Sequence, residues 1–306
     1  MYSSVRGIAP AKVNIGLNVL EKTSAFVGGT ADTEYHKIES IFQTVGLSDE
    51  LSVELLQKSG DCLVHCDLFD LPRENTITRM YNAFCELTGF SAGVHVDIKK
   101  RIPAGGGLGG GSSDAATFAV ILSELSGVEL TQSLADKLSS CVGSDVFFFL
   151  SSAVQMKKKK CESDFLSGCA LVSGRGEIVQ HIEKRHDLCF VLLFPDVHSS
   201  TKEAYVLVDE AYRNNDFVVC PNFAEYENIY RSPVEDWTFA NTFTPVLVKK
   251  YPVIGEAIAD IRKCGASWAD MSGSGAVVFG VFKEETSAKL AVATLQKKWA
   301  HCVYVH

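Results

Sequence analysis

The first place in this chain where residue types and spacing could do chemistry is a run of glycines followed by hydroxyls and an acid. In PAGGGLGGGSSDAA, Pro103 to Ala116, glycine fills Gly105, Gly106, Gly107, Gly109, Gly110 and Gly111, and only Leu108 interrupts the run. Without Cβ atoms, consecutive amides can curl inward and point at one anion. Ser112, Ser113 and Asp114 follow and can cap a helix, whose positive N-terminal end adds to that field. A triphosphate is the natural ligand. No Gly-Lys-Ser/Thr ends the run, so it is not a Walker A loop, and its glycines are too closely spaced for a dinucleotide fingerprint. A flexible linker would not run straight into an amphipathic helix.

A second candidate is Asp145 in GSDVFFFL, beside the apolar run Phe147 to Leu150. A carboxylate buried there needs an opposing cation to stay ionised, and an ionised carboxylate can act as a base toward a hydroxyl. On its own, an aspartate near a strand start is usually a cap or turn residue. Cys62, His65 and Cys66 in CLVHC form the one metal-like cluster, and no second cluster completes four zinc ligands. The ten cysteines therefore read as reduced, small apolar residues, with no protein metal site.

These residues need elements to hold them. AKVNIGLNVLEK and YHKIESIFQTVGL read as strands joined by a loop from Ser24 to Thr33, and NTITRMYNAFCEL as a helix with an Asn or Thr cap. VHVDIKKRIP is a strand by alternation and runs directly into the glycines, after which SSDAATFAVILSEL and LTQSLADKLSSCV read as helices. Beyond the lysine run Lys157 to Lys160, taken as a solvated loop, DLCFVLLF reads as a strand, with helices around Ser200 to Ala211, Asn241 to Tyr251, Val253 to Lys263 and Thr286 to Lys297. The expected domains are 1–156, binding nucleotide, and 157–306, contributing to substrate binding.

Composition limits the function classes. The 306 residues are 46% apolar and 22% charged, beyond the roughly 250 to 300 residues one core usually spans. A net charge of -8 argues against a nucleic-acid surface. No stretch approaches the roughly 18 apolar residues of a membrane span, and MYSSVRGIAPAKVNIGL lacks a secretory h-region. A cytoplasmic enzyme with small-molecule ligands, monomeric or homodimeric, is expected.

The glycine run resembles the second signature of the GHMP kinases, the galactokinase, homoserine kinase, mevalonate kinase and phosphomevalonate kinase superfamily. APAKVNIGL at Ala9 to Leu17, GSDVFFFL at Gly143 to Leu150 and MSGSGAVVFGVF at Met271 to Phe282 match further blocks in the expected order. Within the superfamily, the AKxN opening, the Tyr35-His36 pair, the loop and the GxDVxFF block are similar to kinases that act on a cytidyl-diphosphate-methylerythritol acceptor in non-mevalonate isoprenoid synthesis. The resemblance implies a two-domain α+β fold with its active site in the interdomain cleft, and ATP with Mg2+ as cofactors. It implies Asp145 as base and Lys12 as the cation that holds it ionised and stabilises the transferring phosphoryl group. Asn14 would orient the acceptor hydroxyl, and Gly273 and Gly275 would close over phosphates or acceptor. Asn75, Lys100 and Pro103 would line the nucleotide, Ser112 or Ser113 would meet magnesium, and Tyr35, His36 and Tyr205 would hold a cytosine. Three departures touch loop geometry: Glu34 before the Tyr-His pair where the family has Gly, Phe147 in place of Pro, and the long Ser24 to Thr33 loop. The alternatives are another GHMP kinase, acting on mevalonate, homoserine or a sugar, and a GHMP-fold nucleotide sensor without turnover. Retention of both Lys12 and Asp145 speaks against the sensor.

Overall fold

The computed structural model describes residues 4–22, 26–27, 30–31, 35–158 and 166–306. Glu34, most of the Ser24 to Thr33 loop, and Lys159 and Lys160 lie outside them. The order is β1 (Val5–Val19), β2 (Phe26–Val27), β3 (Thr30–Ala31), β4 (Ile38–Ser59), β5 (Cys62–Cys66), α1 (Thr76–Thr88), β6 (Ala92–Lys99), α2 (Gly110–Ser126), α3 (Gln132–Val142) and α4 (Ser144–Lys158). Then come β7 (Cys169–Gly174), β8 (Ile178–Ile182), β9 (Cys189–Leu193), α5 (Thr201–Arg213), α6 (Tyr226–Arg231), α7 (Phe243–Lys250), α8 (Pro252–Lys263), β10 (Trp268–Met271), β11 (Val278–Phe282), α9 (Glu285–Leu295) and β12 (Cys302–Val305). The helices expected from the sequence form within a few residues of their expected bounds.

The chain divides into two compact units that interleave in sequence: 1–12, 46–104 and 109–168 make the first, and 13–45, 105–108 and 169–306 the second. This differs from a single cut after residue 156. The cause is strand length, because β1 and the 22-residue β4 each supply residues to both units.

In the first unit, the later part of β4 pairs antiparallel with β6 from Glu50↔Lys99 onward, and β5 pairs parallel with β6. Val94, Val96 and Ile98 of β6 are buried, as are Ile77, Met80 and Phe84 of α1 and Phe118 and Leu122 of α2. α1 starts where Asn75 accepts hydrogen bonds from the backbone N–H groups of Ile77 and Thr78 while Thr78 Oγ1 accepts from Asn75 N, a reciprocal cap. α2 packs against α1 and α4, so its nearly uniform apolar sequence is buried on most sides. The apolar run after Asp145 is helical, which places that aspartate in the first turn of α4 rather than at a strand start.

In the second unit, the first part of β4 pairs with β7 from Ile38↔Gly174 to Gln43↔Cys169, and β7 with β8. A separate antiparallel sheet runs β10-β11-β9-β12, with α8 packed on β10 and β11 and α9 on β9 and β12. Its β10-β11 hairpin carries the MSGSG turn. Among the described residues, no helix is long and apolar enough to cross a membrane.

Candidate active site

In the first unit, strand β1 delivers Lys12 to the start of α4. Its ammonium lies 3.3 Å from Asp145 Oδ2, with the lysine 3% and the aspartate 30% exposed. The first turn of a helix also favours a carboxylate through its unpaired N–H groups. Gly109 makes the approach possible: a Cβ there would stand 3.1 Å from Lys12 Cε and 3.3 Å from Phe149 Cε2, and its φ of 70° suits glycine. A cation held almost dry against a partly open carboxylate is a pair able to take a hydroxyl proton and to steady negative charge on a transferring group.

The flanks of the glycine run are also in the first unit. Pro103 is exposed, Gly110 and Gly111 form the first turn of α2, and the amide N–H groups of that turn have no intrahelical acceptor. Ser112 is half-buried, whereas Ser113 is buried and its hydroxyl has no hydrogen-bond partner among the described residues. The sequence reading put Asn75 and Lys100 on the nucleotide. The Asn75 side chain is engaged in the α1 cap and donates to Pro72 O at 2.9 Å. The Lys100 ammonium is bonded to Asp49 and, at 2.7 Å, to Asp114. Burial, with Asp49 nearby, raises the Asp114 carboxyl; burial alone would lower the Lys100 ammonium, but the two carboxylates outweigh it and raise it.

The middle of the run, Gly105–Leu108, belongs to the second unit, where Leu108 is buried and anchors it. Gly107 touches the MSGSG turn so closely that a Cβ would fall 2.0 Å from Ser272 O. Ser272 Oγ donates to Gly107 O at 3.0 Å and accepts from Asn14 N at 3.3 Å, while Asn14 Nδ2 donates to Ser40 Oγ at 3.1 Å. Gly273 lies beside both Gly107 and Asn14, and Gly275 follows in the same turn.

Two residues that the sequence reading missed hold this turn. Asn241 Nδ2 donates to Met271 O and to Gly273 O, each at 2.8 Å, and Asp270 accepts from Asn241 N, Thr244 Oγ1 and Met271 N. Burial pushes the Asp270 carboxyl up to about 6.

The aromatic residues also lie in the second unit. His36 is buried, with Nδ1 2.8 Å from Leu20 O and Nε2 2.9 Å from Asp209 Oδ1. Nδ1 is therefore engaged by a backbone carbonyl, whereas Nε2 faces the Asp209 carboxylate at ion-pair distance without hydrogen-bond geometry. Tyr205 stacks on His36 with centroids 5.0 Å apart and meets Phe243 edge-on. Tyr35 is 50% exposed, and the Arg175 guanidinium lies 3.7 Å from its ring centroid. No pattern in the sequence marks Asp209 or Arg175. Asp49 does leave a trace: it falls on the same strand parity as the buried Leu51 and Val53.

A glycine loop on a helix start, a lysine-aspartate pair and a second glycine turn on a two-domain α+β fold define a GHMP kinase, an ATP-dependent small-molecule phosphotransferase. Residues 75–153 match the GHMP kinases N terminal domain and 227–301 the GHMP kinases C terminal domain. The chain is 34% identical over 97% of its length to the 4-diphosphocytidyl-2-C-methyl-D-erythritol kinase of Treponema pallidum, covering 96% of that protein. It is 35% identical over 90% of its length to the enzyme of that name from Thermotoga maritima, covering 91% of it. A crystal structure of 4-(cytidine 5'-diphospho)-2C-methyl-D-erythritol kinase superposes with a TM-score of 0.76 at 28% identity, over 98% of each chain. The chain belongs to the 4-diphosphocytidyl-2-C-methyl-D-erythritol kinase family.

Proposed function

We propose that this chain transfers the γ-phosphoryl group of ATP to the 2-hydroxyl of 4-diphosphocytidyl-2-C-methyl-D-erythritol. The observation that carries the chemistry is the buried Lys12 held 3.3 Å from Asp145. Asp145 accepts the hydroxyl proton as the oxygen attacks the γ-phosphorus in line and ADP leaves, and Lys12 opposes charge on the moving phosphoryl group. The glycine run and the first turn of α2 take the triphosphate through backbone N–H groups. Asn14, Gly273 and Gly275 bound the acceptor, with Asn14 orienting its hydroxyl. Tyr35 and Tyr205 hold the cytosine, and His36 reads its edge through the backbone. Residues up to about 156 supply most of the nucleotide contacts, and the remainder supply Tyr205 and the second glycine turn.

Hard oxygen donors suit Mg2+, and of the two serines after the glycines Ser112 keeps exposed surface while Ser113 has none. Ser112 is therefore the hydroxyl that would hold the ion, whose charge neutralises the β- and γ-phosphates when bound. Use of a soluble nucleotide and a charged acceptor supports a cytoplasmic setting. A coupled ADP-release assay against a panel of hydroxyl acceptors tests the reading. Turnover with the cytidyl-diphosphate acceptor alone is expected; turnover with mevalonate, homoserine or a sugar instead overturns it.

A further inference from the structure

Asp49 has no part in the chemistry above, yet it is among the most fully engaged side chains of the first unit. It lies on β4 with its side chain fully buried. Its Oδ1 accepts the backbone N–H groups of Arg101 and Ile102 at 2.5 and 2.8 Å, and its Oδ2 accepts from Lys100 Nζ. The same ammonium reaches Asp114 Oδ2 at 2.7 Å, four residues into α2. Side-chain exposure is 8% for Lys100 and 5% for Asp114.

Buried charges persist only when paired and hydrogen-bonded, so each charge in this cluster needs a partner of opposite sign. Its contacts fall on the two arms of the glycine run. Asp49 gathers residues 100–102, the segment entering the loop, and Lys100 carries the connection to α2, the segment leaving it. The ammonium sits under the first residue of α2: a Cβ on Gly110 would be 3.4 Å from Lys100 Nζ and 2.9 Å from Ile102 Cγ2. Two carboxylates take up the charge of this ammonium and two of its three N–H donors, which weakens the reason for it to contact a nucleotide.

We propose that Asp49, Lys100 and Asp114 form a buried ion triad that positions the phosphate loop for ATP, with Asp49 as its organising residue and Lys100 acting on the nucleotide only through the loop. The proposal rests on the reading of the glycine run as the phosphate site. The triad is asymmetric. Asp114→Asn leaves one ammonium facing one carboxylate and keeps an oxygen for Lys100, so it is tolerated. Asp49→Asn turns an amide donor toward the ammonium and loosens the acceptor of two backbone N–H groups.

Steady-state kinetics with ATP and GTP, and calorimetry of ATP binding, test this on Asp49→Asn, Lys100→Met, the double variant and Asp114→Asn. Asp49→Asn and Lys100→Met should each weaken ATP binding about ten-fold or more, leave the acceptor KM within about two-fold and leave the ATP-to-GTP preference unchanged. The double variant should be within about three-fold of the worse single variant, and Asp114→Asn within about three-fold of the wild type. If Asp49→Asn does not fold, Asp49→Glu keeps the charge but moves it by one methylene, and the same loss of ATP affinity is expected. A changed ATP-to-GTP preference in Lys100→Met alone, or wild-type ATP affinity in a folded Asp49 variant, overturns the triad. Gly110→Val separates the two levels: unchanged ATP affinity there overturns the phosphate-loop reading itself, whereas loss there with no loss at Asp49 overturns only the triad.

Discussion

Replacing either member of the Lys12–Asp145 pair tests whether the two act as one unit. At 3.3 Å and an effective dielectric near 20, two unit charges attract by about 5 kcal/mol. Asp145 is 30% exposed, and water screening reduces the coupling to roughly 3 to 4 kcal/mol. Asp145→Asn removes the base and should lower kcat by about 10² to 10⁴. Lys12→Met is nearly isosteric, leaves a carboxylate that water can still reach, and should lower kcat by a similar factor. If each variant loses about 10³, independent action predicts a loss of about 10⁶ in the double variant. A coupling of 3 to 4 kcal/mol corresponds to about two to three decades, so the double variant should instead lose only about 10³ to 10⁴. The measurement is kcat by coupled ADP release, with ATP affinity by calorimetry and folding by thermal melts as controls. Additive losses, or an Asp145→Asn enzyme within about ten-fold of wild type, refute the shared role.

Gly107→Val should abolish ATP binding by calorimetry and lower Tm, because its Cβ would overlap Ser272 O at 2.0 Å and the backbone φ is 76°; wild-type affinity would remove the loop from the phosphate site. Tyr35→Ala and Tyr205→Ala should each raise the acceptor KM about ten-fold or more, as expected for a stacking contact of about 1 to 3 kcal/mol, while the KM for ATP stays nearly constant. An equal rise in both constants would dismiss the cytosine clamp. The Asp270 carboxyl is raised from 3.8 to about 6 by burial, so its contribution to stability is fully present below the unfolded value and is lost as pH rises through about 6. Asp270→Asn should therefore flatten the fall in Tm between about pH 4 and 6.5; an unchanged slope means that this group is not the one titrating.

The sequence by itself determined the chemistry wherever it depends on residue type within a short span. Six glycines running into a helix start, a lysine in APAK and an aspartate in GSDVFFF are legible because backbone freedom, charge and capping are local properties. Most helix positions were legible for the same reason, since an Asn or Thr cap and a 3.6-residue apolar period need no distant partner; α4, apolar on most of its length, read as a strand start and a loop instead. What only the tertiary structure decided depends on which distant residues share a buried space. Lys100 follows a strand next to the phosphate loop and reads as a ligand contact, yet a carboxylate fifty-one residues earlier takes up its charge. His36 Nδ1 is taken up by Leu20 O and its Nε2 faces an aspartate on α5, surroundings that the residue type suggesting base recognition does not show. That the chain forms two compact units interleaved in sequence, with two long strands supplying residues to both, is likewise not visible in the sequence. For Lys100 and His36 the deciding term is desolvation: a buried charge or polar edge must find a partner, and only the folded chain determines which partner is within reach.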